Sequence, residues 1–284
     1  MQPNRYPLGG VRNGKMINLE RIRSAWHRRS LILTLGIREV TQRFRSSKLG
    51  LLWTIIQPLA IVTIFYFVFS VVFQNRWGAQ DEPKGDFIIA LFSGFLVFNL
   101  FFDTVSRSPT MVTGNVNYVK KLVFPIHLLP IIFSIGSIIN FSCTLTVLLI
   151  MYSLIHMSSP HLSVLMIPII VLPVYLVSLG VSWFISGIGV YFRDVNHAIP
   201  LILQALVFLS PVLYPLQRVP EGFVRQIMSL NPLAGPIEQA RAAIMYGAWP
   251  DPLAVMMSLA IGLIFCLIGV LLFQRIRPGF SDVL

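Results

Sequence analysis

Charge inside long apolar stretches is what this sequence lacks. Six runs, Leu51–Phe73, Phe87–Phe102, Ile126–Ile155, Leu162–Phe192, Ala198–Leu213 and Pro252–Phe273, hold no Asp, Glu, Lys or Arg. That absence excludes a water-soluble globule and speaks against a proton- or sodium-coupled carrier, which keeps ionisable groups at membrane depth. His127, at the start of the third run, reads as an interfacial residue. Cysteine is almost missing: Cys143 and Cys266 both sit in apolar runs as small hydrophobes, which excludes a disulfide framework or a cysteine metal cluster. No His-Glu-x-x-His or Gly-x-Ser-x-Gly pattern occurs, so neither a zinc hydrolase nor a serine hydrolase is indicated. Gly9, Gly14 and Lys15 imitate part of a phosphate loop. Met16 stands where a Ser or Thr should hold magnesium, however, and no apolar strand precedes the glycines. The first sixteen residues have no apolar centre and no small-residue cleavage site, so no removable signal peptide is expected.

What is present is hydrocarbon. Hydrophobic residues make up 55% of the chain and charged ones 12%, too little polar surface to coat a soluble fold. At about 1.5 Å per residue the longer runs cover a hydrocarbon core of roughly 30 Å, where only helix satisfies the backbone within one segment. The expected fold is therefore all-α: a polytopic membrane protein with six transmembrane helices. A cytoplasmic tail spans residues 1–50 and the membrane domain residues 51–284.

Positive charge sets the orientation, because segments rich in Lys and Arg resist translocation. Eleven of the 22 basic residues precede Leu51, and Arg107, Lys120, Lys121, Arg193, Arg275 and Arg277 join them on the same side, leaving only Arg76, Lys84, Arg218, Arg225 and Arg241 opposite. Both termini are thus expected in the cytoplasm. The net charge of +11 reads as orientation and contact with anionic lipid rather than as nucleic-acid binding.

Within the tail, Ile22, Trp26, Leu33, Ile37, Val40 and Phe44 recur at helical spacing and line one face. An amphipathic helix lying in the headgroup layer is expected, bent at Gly36. It serves either as a simple anchor or as a lever on a cytoplasmic partner. Ser178, Ser182 and Ser186, at steps of four, give the fourth span a small-residue face that lets another helix come close. The fifth run is short and interrupted by Pro200, Pro211 and Pro215, so it is expected to dip in and bend rather than cross straight. Residues 217–251 after it fit two short re-entrant helices separated by Asn231-Pro232, and an ordinary loop is the alternative.

Several local sequences resemble one family. Arg38-Glu39-Val40-Thr41-Gln42-Arg43-Phe44-Arg45-Ser46-Ser47-Lys48-Leu49-Gly50-Leu51-Leu52-Trp53, with Gln57-Pro58-Leu59, is similar to the entry signature of type-2 ABC transporter permeases that export polysaccharide, including O-antigen, capsule and teichoic-acid exporters. Tyr118-Val119-Lys120-Lys121-Leu122-Val123-Phe124-Pro125 with Pro130, Tyr191-Phe192-Arg193-Asp194-Val195, Ser210-Pro211-Val212-Leu213-Tyr214-Pro215 and Leu230-Asn231-Pro232-Leu233 follow in the same order. The likeness runs from about Arg21 to the end and does not extend to the polar lead before it.

The resemblance implies a homodimer of six-span subunits in the bacterial cytoplasmic (inner) membrane, driven by two copies of a separate cytoplasmic ABC ATPase. ATP and magnesium would be bound there, with no cofactor or metal in this chain, which would be a transport subunit rather than an enzyme. The implied substrate is an undecaprenyl-linked polysaccharide. ATPase contact falls to Arg38, Arg43, Lys120, Lys121, Arg193 and Asp194, although Arg193 and Asp194 alternatively form a local pair capping the fourth helix. Arg43, Arg45 and Lys48 are placed to hold a lipid pyrophosphate at the inner leaflet. Phe65, Tyr66, Phe69, Phe92, Phe95 and Phe102 either pack in the core or line a conduit on which sugars stack. Tyr214, Glu221, Phe223, Asn231 and Tyr246 fall in the implied outer gate. A membrane-embedded enzyme acting on lipid-linked sugars, or a same-fold exporter of a small amphiphile, is the alternative.

Overall fold

The computed structural model describes residues 29–44, 48–72, 84–115 and 125–283, and among these every regular element is helical. In chain order the helices are α1 (Arg29–Phe44), α2 (Trp53–Tyr66, prolonged by a π-helical segment Phe67–Val72), α3 (Lys84–Ser106), α4 (Leu129–His156) and α5 (Ile167–Tyr191). They continue with α6 (Val195–Phe208), α7 (Phe223–Leu230), α8 (Ala234–Tyr246) and α9 (Pro252–Ile276). Arg45, Lys120, Lys121, Ile22, Trp26 and the glycines near the start lie outside the described residues.

Among the described residues, four stretches are long and apolar enough to cross a bilayer: Gly85–Thr110, Ile126–His156, Leu162–Tyr191 and Pro252–Gly279. The first and fifth apolar runs form the shorter apolar helices Trp53–Ile64 and Val195–Phe208. At 14 residues α6 reaches only about 21 Å, less than the hydrocarbon thickness. It continues through Pro200, its sixth residue, whose missing N–H leaves the Asn196 carbonyl without the usual helical donor, and it ends before Pro211.

α3 is the central post. Ile89, Leu91, Phe92, Val97 and Phe98 are fully or nearly fully buried on successive faces, against α4, α5 and α8. A helix apolar on every side is stable only when wrapped in this way. α9 is the opposite case, largely uncovered along its length, with an apolar surface suited to lipid. Its hold on the rest is a seam with α5, where a side chain on Gly269 would collide with the Gly180 carbonyl and one on Gly180 with the Phe265 carbonyl. Only hydrogen at those positions lets the two backbones meet.

The serine face of α5 takes a different neighbour. Ser178, Ser182 and Ser186 are buried, and the Ser108 hydroxyl just beyond α3 donates to Ser182 Oγ at 2.7 Å while Ser182 donates to the Thr104 carbonyl at 3.2 Å. So α5 packs α3 through its serines and α9 through its glycines. On the opposite edge, α1 runs unbroken through Gly36. That glycine is a contact and not a bend: any Cβ there would strike Ile135 of α4, and Val40 lies over Gly136 one residue further on. Leu33 and Ile37 of α1 remain exposed.

Gly269→Leu is expected to wedge α9 off α5 and to lower the thermal unfolding temperature of the detergent-solubilised protein, with a cost of about 1–3 kcal/mol or more because backbone is struck. Ser178→Ala, whose hydroxyl bonds only to the Val174 carbonyl of its own helix, should stay within about 0.6 kcal/mol of wild type.

Candidate functional site

Where α6 stops, the chain folds back on itself. Pro211 cannot supply the next helical N–H, and the last turn is closed instead by side chains. The Tyr214 hydroxyl donates to the Phe208 carbonyl, and Asn231 Nδ2 reaches the Leu209 carbonyl at 3.4 Å and Ser210 Oγ at 2.8 Å. The other end of the same Asn231 amide, Oδ1, accepts from the Leu233 N–H at 3.0 Å and turns the chain into α8. Ser210-Pro211 and Asn231-Pro232, 21 residues apart, are thus parts of one hydrogen-bonded corner. Partial burial pushes the Tyr214 phenol above its ordinary value.

Beneath that corner lies Arg241 of α8, only 2% exposed. Its Nε donates to the Ala90 carbonyl of α3 at 3.0 Å, Nη1 to Glu238 Oε1 at 2.9 Å, and Nη2 to the carbonyls of Pro211 at 2.6 Å and Val212 at 3.2 Å. One guanidinium therefore joins α3, the α6 corner and α8. Burial pulls its pKa down from the usual value and the Glu238 carboxylate opposes this, so the cation is kept by the charge beside it and the carbonyls around it. Glu238 also accepts from the Leu216 N–H at 3.2 Å. Gly94 makes room: a Cβ there would stand 2.9 Å from the Val212 carbonyl oxygen and would press on the guanidinium.

A second polar cluster holds the far end of α8. His156 Nε2 lies 2.8 Å from Asp86 Oδ1, the His156 ring stacks on Tyr152 with centroids 4.3 Å apart, and the Tyr152 hydroxyl is 3.0 Å from His161 Nε2. His161 packs beneath Gly247, whose φ of 64° suits glycine, and Ser163 donates to the Ala243 carbonyl at 2.7 Å.

The sequence-derived residues are distributed unevenly. Tyr214 and Asn231 belong to the corner, whereas Glu221 is exposed and pairs only with Arg225 at 3.3 Å, an arrangement of little energetic weight. Phe223 and Tyr246 are 76% and 60% exposed. Arg38, Lys48, Arg193 and Asp194 are all exposed near the helix ends expected to be cytoplasmic. Arg193 and Asp194 form no ion pair with each other. Asp194 stands immediately before α6, where its carbonyl accepts from His197 and Ala198. Arg43 and the rings of Phe65 and Phe69 lie on described helices, with side chains outside the described residues. Phe92 has no exposed surface and Phe95 little, so in this conformation both pack the subunit's own core; Tyr66 and Phe102 are half-buried.

Arg241 is the residue that sequence reasoning missed, having counted it as one loose charge in an outer connector. The signal was available: Glu238 and Arg241, three apart, are the only charges in a helix otherwise built of Ala, Gly, Ile, Met, Pro, Gln and Tyr. Arg241→Ala would leave Glu238 and three carbonyls without their donor, costing about 3–5 kcal/mol, and Arg241→Lys should recover only part because one ammonium cannot replace the fork. Thermal unfolding of the three proteins side by side checks that ranking.

Residues 30–245 match the family of ABC-2 type transporters. The O-antigen export system permease protein RfbA of Myxococcus xanthus is 26% identical over 92% of this chain and 98% of its own length. A Klebsiella pneumoniae protein of the same name is 26% identical over 89% of this chain and 95% of its own. The polysialic acid transport protein KpsM of Escherichia coli is 24% identical over 84% and 91%.

Proposed function

The chain belongs to the ABC-2 type transporter family, and on that premise we propose that it is the permease subunit of an exporter that carries a lipid-linked polysaccharide such as O-antigen across the cytoplasmic membrane. The observation that carries the reading is the near end-to-end match to export permeases. The joining of the Ser210-Pro211 and Asn231-Pro232 segments into one corner adds to it.

In this reading two copies form the conduit. The helices Trp53–Ile64 and Val195–Phe208 complete six membrane-embedded segments beside the four long ones, and both termini face the cytoplasm, a placement the Lys and Arg distribution favours. A separate ATPase binds ATP and magnesium and supplies the work. It meets the permease at Arg38, Arg43, Lys120, Lys121, Arg193 and Asp194. α1 is the lever, its Gly36–Val40 edge seated on α4 and its exposed Leu33 and Ile37 toward lipid headgroups. Next to that seat, Arg107 pairs with Asp103 at 2.8 Å at the inner end of α3, so a push on α1 is delivered to α4 and α3 together. Arg43, Arg45 and Lys48 receive the pyrophosphate of the lipid carrier.

At the outer end α7 and α8 form the gate, with Tyr214, Asn231 and Arg241 as its frame and Glu221, Phe223 and Tyr246 at its rim. Because Arg241 binds α3 and the α6 corner at once, the gate moves with those helices as a body and does not peel away alone. Of the aromatic residues, Tyr66 and Phe102 offer ring surface in this conformation, and the conduit role of Phe92 and Phe95 requires α3 to be uncovered first.

Deleting the gene in its native host should leave full-length polysaccharide inside the cell, and affinity purification should recover an ABC ATPase with the chain. Surface polysaccharide at wild-type level would refute the reading. Lys120→Ala with Lys121→Ala, or Arg193→Ala, should lower export several-fold at unchanged membrane insertion; wild-type export would remove these residues from the coupling surface.

A further inference from the structure

Beside the Arg241 cluster the surface opens into a cavity of about 500 Å³, lined by Pro215, Gln217 and Arg218 of the turn after α6 and by Glu238, Arg241 and Tyr246 of α8. Its volume lies within the roughly 300–1,000 Å³ typical of small-molecule sites. The wall formed by Arg241 and Glu238 is fixed, because Arg241 is tied to three carbonyls and Glu238 Oε1 accepts from both Arg241 and the Leu216 N–H. The second carboxylate oxygen, Oε2, takes no hydrogen bond within the described residues and is an acceptor left for something else. At the lip stand the Tyr246 ring, 60% exposed, and the exposed Gln217 and Arg218.

This set of groups selects its ligand by chemistry. A purely apolar molecule would cover Glu238 Oε2 and the Gln217 amide without giving either a partner, which costs more than its burial returns. A phosphate would be drawn by the arginines but would meet that same carboxylate. A sugar ring suits this lining: its C–H face lies on the tyrosine ring, and its vicinal hydroxyls donate to Glu238 Oε2 and accept from the Gln217 amide. From the cavity we infer that the gate carries a saccharide-binding subsite, which engages one sugar unit of the glycan as it emerges. The inference rests on the export reading above. Its use would be to hold the emerging chain against a rigid wall while the cytoplasmic end resets, so that each advance is kept.

The test uses the permease with its ATPase in cells making the polymer. In a protein with Cys143→Ser and Cys266→Ser, a Cys is introduced as Gln217→Cys and labelled with a benzophenone maleimide. The control carries the label at Ser229→Cys, an exposed site on α7 outside the cavity. Irradiation during export should attach glycan to position 217 well above the control, seen as a polymer-length shift removed by glycan hydrolysis. Tyr246→Ala should lower both that crosslink and the export rate roughly two- to tenfold, the scale of one lost aromatic contact, and Tyr246→Phe should restore both. If Tyr246→Ala fails to assemble with the ATPase, the crosslink at 217 in the otherwise native gate decides alone. Crosslinking no greater than at 229, with export still dependent on the chain, overturns the subsite and leaves the exporter standing. Export that persists after gene deletion removes the exporter reading, and the subsite with it.

Discussion

A cation buried at the meeting of three helical elements is the constraint on which the rest of this structure depends. Taking a guanidinium out of water is expensive, and the protein offsets the cost with four acceptors: one from α3, two from the corner after α6, and the Glu238 carboxylate from its own helix. Each acceptor had to be brought to Arg241, so the position of α8 against α3 and the sharp turn at Pro211 are consequences of one requirement. Gly94 follows from it too, since any side chain there would occupy the space the fork needs. The same economy makes the arrangement hard to dismantle piece by piece, because removing one element strands a buried charge.

The two ends of the molecule differ in a way that suits transport. At one end the polar groups satisfy one another: Arg241 with Glu238, Asp86 with His156, Tyr152 with His161, Asn231 with Ser210. At the other, Arg38, Lys48, Arg193 and Asp194 are exposed. Between the ends, the glycine seam of α5 with α9 and the serine contacts of α5 with α3 leave no slack in which a displacement could be absorbed.

Much of this was legible in the residues because bilayer physics is blunt. Runs free of charge had to be helices, and four of the six reach full crossing length. The break at Asn231-Pro232 was read correctly as the boundary between two short helices, since the pair stops one and starts the next. What stayed hidden depends on neighbours distant in sequence. Gly36 reads as a weak point in an isolated helix and becomes a contact once Ile135 is beside it. Phe92 and Phe95 fit either a core or a lining when the second run is considered alone, and a helix wrapped on all sides turns their rings into core. Arg241 was overlooked because a charge between apolar segments is ordinarily solvated, and its partners Ala90, Pro211 and Val212 contribute only backbone oxygens, which leave no trace in side-chain identity.

Amide hydrogen exchange of the solubilised protein, with Arg241→Lys compared with wild type, tests the clamp most directly. If the guanidinium holds α8 and the corner after α6 against α3, residues 209–216 and 234–246 should lose protection together, along with the Ala90 turn of α3, while the α5–α9 seam keeps its own. Unchanged protection across those segments, or loss confined to α8, would contradict it.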